Sequence, residues 1–165
     1  MYTRRSLLAG TAAVLGGCLE NGGEDEERGN GSSVTGTEGE RIDGELDLRE
    51  ANVVDVSVEG EEGTYTFDVT LYHDDEGEDG YADRWVVESL DRKEVGRREL
   101  AHPHGTRRFT RSSTVATDES CVVVRGGDRT HGYGGRAVVV NLKTGEARGF
   151  LQGEEPSSFD EGDCP

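Results

Sequence analysis

Apolar side chains recur at every second position through much of residues 51–152. In TYTFDVTLY, Tyr65, Phe67, Val69 and Leu71 alternate with Thr66, Asp68 and Thr70. A period of two puts the first set on one face of an extended strand and the second set on the other. NVVDVSV repeats the spacing at Val54, Val56 and Val58, and ADRWVVESL places Trp85 and Val87 together. CVVVR and RAVVVNL are short continuous apolar runs, which suits strands covered on both sides. EVGRREL and STVAT are weaker segments of the same kind. Turn formers such as Glu59-Gly60, Gly126-Gly127-Asp128 and Thr144-Gly145 punctuate the runs. No stretch offers a helical apolar face three turns long.

This pattern predicts one all-β domain over residues 51–152, an antiparallel β-sandwich of about seven strands and immunoglobulin-like plan. A small β-barrel is the alternative closure. Trp85, the single tryptophan, is expected in the core with Phe67 and Val87, beneath the loop that carries Tyr81. It is the largest apolar group available at an inward position.

The flanking segments have a different character. Residues 1–17 open with Arg4-Arg5 before a short Ala-, Gly- and Leu-rich run. The run is too short to span a bilayer. It resembles a twin-arginine export signal, an address rather than an anchor. Leu15-Gly16-Gly17-Cys18 resembles a lipobox, with small residues for the signal peptidase and a thiol for the lipid. The expected location is therefore the outer face of the cytoplasmic membrane, held there through lipidated Cys18. Residues 18–50 are rich in Gly, Glu and Ser and poor in apolar side chains. Such a segment cannot bury enough surface to offset its ordering entropy. It reads as an acidic, disordered tether with an end-to-end reach of roughly 30 Å. It carries one N-glycosylation sequon at Asn30. Residues 153–165 read as an acidic C-terminal tail.

Composition narrows the partners. The chain has 35 acidic residues against 18 basic ones, a formal charge of −17. No basic patch is available to displace phosphate counterions, so nucleic acid is excluded as a partner. Acidity on this scale, with only two lysines (Lys93 and Lys143), suits a surface that stays soluble in high salt.

Three cysteines are present. With Cys18 lipidated, Cys121 and Cys164 remain, and a disulfide between them would persist outside the cell. Cys121 also lies in an apolar run, where a buried free thiol is the other reading.

Candidate chemistry gathers in three places. His102 and His104 are two apart and share a face of an extended segment. Joined by His131, with Asp128 as an oxygen ligand, they could hold copper or zinc. Turn-backbone hydrogen bonding, or pairing of His102 with Asp83 or Glu99, would also account for them. Asp74, Asp75, Glu78 and Asp79 crowd one loop that could cage calcium, although the order is not that of an EF-hand and a solvated loop serves equally. Arg107, Arg108 and Arg111 form a rare basic cluster, suited either to internal ion pairs or to an anionic ligand. The GYGG string after His131 lacks a following Lys-Ser/Thr and a helix, so it is no phosphate loop. Its glycines suit a hairpin. No nucleophile–base set and no framed carboxylate pair indicates an enzyme.

The strings HDDEGEDGYADRW, LAHPHGTRRFTRS and VVVRGGDRTHGYGGRAVVV, in that order, resemble an uncharacterised family of small extracytoplasmic domains from haloarchaea and some bacteria. The resemblance covers about residues 65–142. It implies a shared all-β fold and carries no activity or assigned site. Family members usually have proline where Arg108 stands, and often histidine at the position of Gly127. If that position serves a metal, its loss here counts against a site. The resulting expectation is a lipid-anchored surface module that binds a protein, a glycan or a metal, or that serves the envelope structurally.

Overall fold

The structure is a computed structural model that describes residues 46–165 apart from positions 62, 75, 76 and 78. The expected signal, Cys18, Asn30, Asp75 and Glu78 therefore lie outside the described residues. Among the described residues eight strands follow one another: β1 (Asn52–Glu61), β2 (Thr64–Tyr72), β3 (Ala82–Ser89), β4 (Glu94–Glu99), β5 (Phe109–Ala116), β6 (Cys121–Asp128), β7 (Gly135–Asn141) and β8 (Ala147–Gly153). A 3-10 turn, Glu161–Asp163, lies near the C-terminus.

The strands form two antiparallel sheets, β1-β2-β5 and β4-β3-β6-β7-β8. The chain crosses between sheets after β2, after β4 and after β5. Strands β1-β2-β5 and β3-β6-β7 thus follow an immunoglobulin-like order, whereas β4 pairs with β3 and β8 extends the larger sheet by one. Neither sheet closes on itself, so the expected sandwich holds and the barrel does not. The eighth strand, ARGFLQG, is the one the alternation does not reveal. Its apolar residues Ala147, Phe150 and Leu151 break the period of two.

The inner faces bury one continuous core in which Trp85, Phe67 and Val87 are fully enclosed. Trp85 thus stands where alternation along β3 places it. All eight residues of β6 are buried. Val122 and Val124 enter the main core, whereas Cys121 and Val123 face outward with Ala137 and Val139 of β7. Residues 153–165, read from the sequence as an acidic tail, cover this outer face. Phe159 packs against Phe150, the rings tilted by 50° and 4.9 Å apart between centroids. Cys164 is disulfide-bonded to Cys121, with the two Cα atoms 6.2 Å apart. Asn141 Nδ2 donates to the Pro165 carbonyl at 2.9 Å. A continuous apolar run therefore serves two cores, one on each face of its sheet.

Candidate functional site

The segment before β1 fixes one pole of the sandwich. Asp47 accepts from the backbone and guanidinium of Arg49, and Asn52 Nδ2 donates to the carbonyls of Asp47 and Glu50 at 2.8 Å each. Asp74 N donates to the Leu48 carbonyl at 2.8 Å. The bend so formed turns the Glu50 side chain inward until only 2% of the residue is exposed.

The glycines of the GYGG string make room for it. A Cβ on Gly134 would stand 2.5 Å from Glu50 Cδ, and one on Gly135 would stand 2.8 Å from Glu50 Cβ. Gly135 also has φ +75, a left-handed conformation that favours glycine. Glu50 is buried because these two positions carry no side chain.

Asp128, at the end of β6, faces Glu50 from the other side. Its Oδ1 accepts from the backbone N–H groups of Thr130 at 2.7 Å and His131 at 2.6 Å. Its own N–H donates to the Gly132 carbonyl at 3.0 Å. These bonds shape the turn that presents His131. His131 Nδ1 lies 3.4 Å from Asp128 Oδ1 and 3.0 Å from the Arg49 carbonyl oxygen.

Glu50, Asp128 and His131 each bring a ligand-type atom within 4.8 Å of the others. The Asp128 side chain is fully enclosed and that of His131 is 40% exposed, so the group opens on one side. Glu50 Oε2 and Asp128 Oδ2 are buried without a hydrogen-bond partner. Burial pushes the Glu50 carboxyl above its ordinary range; His131 nearby opposes that rise, and the Asp128 carboxylate adds to it. In chemical terms the pole offers two inward carboxylates and one imidazole.

The residues expected at a metal site are thus divided. Asp128 and His131 come together with Glu50. His102 and His104 belong to another arrangement: their rings lie 4.8 Å apart, His104 stacks on Phe109 at 3.7 Å, and Arg111 Nη2 lies 3.0 Å from His104 Nε2. His102 Nδ1 is 3.2 Å from the Pro103 carbonyl, whereas Asp83 and Glu99, its alternative partners, hold Arg84 and Arg97. The fourth histidine, His73, is 1% exposed, and its Nε2 lies 3.0 Å from the same Arg49 carbonyl that faces His131.

Of the loop expected to hold calcium, Asp74 and Asp79 are described. The Asp74 carboxylate lies 3.6 Å from His73 Nδ1, its carbonyl accepts from Thr106 Oγ1 at 2.8 Å, and Asp79 is exposed. In the basic cluster, the Arg108 guanidinium lies over the Tyr72 ring and that of Arg111 over Phe109. At Gly127 the space above the backbone is taken: a Cβ there would stand 2.9 Å from the Tyr133 ring and 3.1 Å from Arg84 Cζ.

The sequence does not single out Glu50, which lies at the end of the Gly- and Glu-rich span, or His73, which sits beside an acidic run. The available signal was the Gly134-Gly135 pair, which marks a close approach by something bulky.

Comparison with known proteins gives one informative relative. A protein of Halomicrobium mukohataei carrying the name "Putative lipoprotein" is 60% identical over a 124-residue alignment that covers 73% of this chain. The chain spans 62% of that relative's length. No family model matches, and no solved structure matches.

Proposed function

We propose that this chain is an exported lipoprotein whose sandwich is a non-enzymatic binding module of the cell envelope. A twin-arginine signal over residues 1–17 directs export, and Cys18 takes the lipid on the outer face of the cytoplasmic membrane. The following acidic segment holds the domain away from the bilayer. The binding end is the pole formed by Glu50, Asp128 and His131, next to the tether.

The lipoprotein part is supported by the name of the Halomicrobium relative and by the Leu15-Gly16-Gly17-Cys18 string. The binding part is carried by one observation: two buried carboxylate oxygens, Glu50 Oε2 and Asp128 Oδ2, have no hydrogen-bond partner. Unpaired buried acceptors are costly in a fold that serves only as scaffold, and they persist where a ligand is met.

Fractionation of cells that express the full chain tests the anchoring. The wild-type protein is expected in the membrane fraction after alkaline and high-salt washing, with a lipid mass on the N-terminal peptide. Cys18→Ala is expected to move it to the soluble fraction. A Cys18→Ala protein that stayed with the washed membrane would overturn the reading.

A further inference from the structure

We infer that Glu50, Asp128 and His131 form a binding site for one divalent first-row transition-metal cation. The inference rests on the reading that this pole is the binding end, and it names the ligand class.

The donor set comes first. Two carboxylate oxygens and one imidazole nitrogen lie within 4.8 Å of one another. Ligands that share one ion at about 2.1 Å stand roughly 3–4 Å apart. His131 Nδ1 and Asp128 Oδ1 are already at 3.4 Å. The remaining closure is small, and the half-exposed imidazole can supply it by rotating about its side-chain torsions. Glu50 and Asp128 are fixed by the backbone bends that carry them, so two of three ligands are in place before the ion arrives.

Charge agrees. Two carboxylates neutralise a dication, and an ion would give Glu50 Oε2 and Asp128 Oδ2 the partner they lack. Two unpartnered carboxylates facing each other in a buried site repel, and a cation between them converts that repulsion into attraction.

Second-sphere geometry agrees as well. The backbone N–H groups of Thr130 and His131 hold the Asp128 carboxylate in place.

The choice among cations follows from the ligands. Calcium takes six to eight oxygens, and magnesium keeps most of its waters. Neither favours imidazole. Zinc and its first-row neighbours accept mixed nitrogen and oxygen donors with fewer ligands. The open side at His131 leaves the remaining positions to water or to a ligand atom of a partner.

Zinc is the probe. The full chain is purified in detergent, stripped with chelator and titrated with Zn²⁺ by calorimetry in about 1 M NaCl, where the Debye length of roughly 3 Å screens loose association with the acidic surface. The expected result is one saturable site that an equal concentration of Ca²⁺ does not occupy. Glu50→Gln and His131→Ala should each weaken it at least tenfold. His131 is half-exposed, so His131→Ala remains decisive if the buried Glu50 variant folds poorly. A wild-type protein without a saturable site would overturn the inference. So would two folded variants that bind like wild type, because the ion would then sit elsewhere, on the 74–79 loop or the tether. Neither result would touch the lipid anchor, which the Cys18→Ala fractionation tests separately.

Discussion

Gly134 and Glu50, eighty-four positions apart in the chain, occupy complementary volumes: the side chain that Gly134 lacks is the space that the Glu50 carboxyl fills. The pair explains why a glycine-rich string follows His131. It is a cradle for an acid delivered by the segment ahead of the first strand, as well as a hairpin turn.

Gly134→Ala should therefore expel Glu50 or strain the turn. Overpacking of this kind costs typically 1–3 kcal/mol. Urea unfolding should register that loss, and Zn²⁺ affinity should fall with it. An alanine variant with unchanged midpoint and unchanged affinity would show that Glu50 has no fixed place in the pole.

Trp85→Ala removes the largest side chain of the core, one that is fully enclosed. The expected loss is about 3–5 kcal/mol, a large share of the stability of a domain this size. The wild-type indole should emit in the blue and resist acrylamide. Red, easily quenched emission would place Trp85 at the surface and contradict the packing.

Much of this fold was legible because period-two alternation is a direct record of which face is buried. Phe67, Val69 and Leu71 on one strand, and Trp85 and Val87 on the next, could be assigned inward without knowing their neighbours. The pole was less legible, because Glu50 is local to nothing in sequence. Its burial depends on Gly134 and Gly135, and only the folded chain brings them together. His102 and His104 misled for the opposite reason: their spacing is compatible with ligation, yet Phe109 and Arg111 give the His104 ring a packing role. The outer layer formed by residues 153–165 was hidden by its acidity. Phe159 and Cys164 dock it on the apolar face, the Ser157 and Pro165 carbonyls tie it to Arg125 and Asn141, and acidic Asp160 and Glu161 beside them are exposed.

The Cys121–Cys164 disulfide closes a loop of 43 residues in sequence separation. On the chain-entropy model such a closure is worth about 4 kcal/mol. Reduction of the folded protein, or Cys164→Ser, should lower the unfolding midpoint accordingly. It should also raise hydrogen exchange in residues 154–165 before the sheets open, because Phe159 and Pro165 lose their covalent anchor. Uniform exchange in the oxidised and reduced proteins would show that the segment is held by its other contacts alone.

Asp47 illustrates how the bend before β1 responds to acid. The hydrogen bonds from Arg49 hold its carboxyl down from 3.8 to about 2. A depressed carboxylate contributes stability above its unfolded value and loses it as pH falls through its folded value. The contribution should therefore fade between about pH 4 and pH 2. The group is exposed, so the effect on global stability is small and NMR titration of the Asp47 carboxyl is the better readout. Arg49→Ala should return the titration to the ordinary aspartate range; an unchanged midpoint would remove the ion pair as the cause.

Arg125 is the strongest test of the outer layer, because a guanidinium 1% exposed needs every partner it has. Glu88 Oε2 accepts from its Nε at 2.9 Å, Gln152 Oε1 accepts from Nη1, and the Ser157 carbonyl accepts from Nη2 at 2.6 Å. The Phe159 ring lies beneath it, 5.2 Å from Cζ to centroid. Breaking a buried ion pair from one side leaves a charge uncompensated and costs about 3–5 kcal/mol, whereas replacing it by apolar groups of similar volume is often neutral. Glu88→Gln should therefore destabilise the domain strongly, and Glu88→Leu combined with Arg125→Met should recover most of that loss. Because the Ser157 carbonyl then loses its donor, the double variant should still exchange faster at residues 154–160. If the double variant were as unstable as Glu88→Gln alone, the guanidinium would be serving residues 153–165 through its hydrogen bonds more than the sheet through its charge.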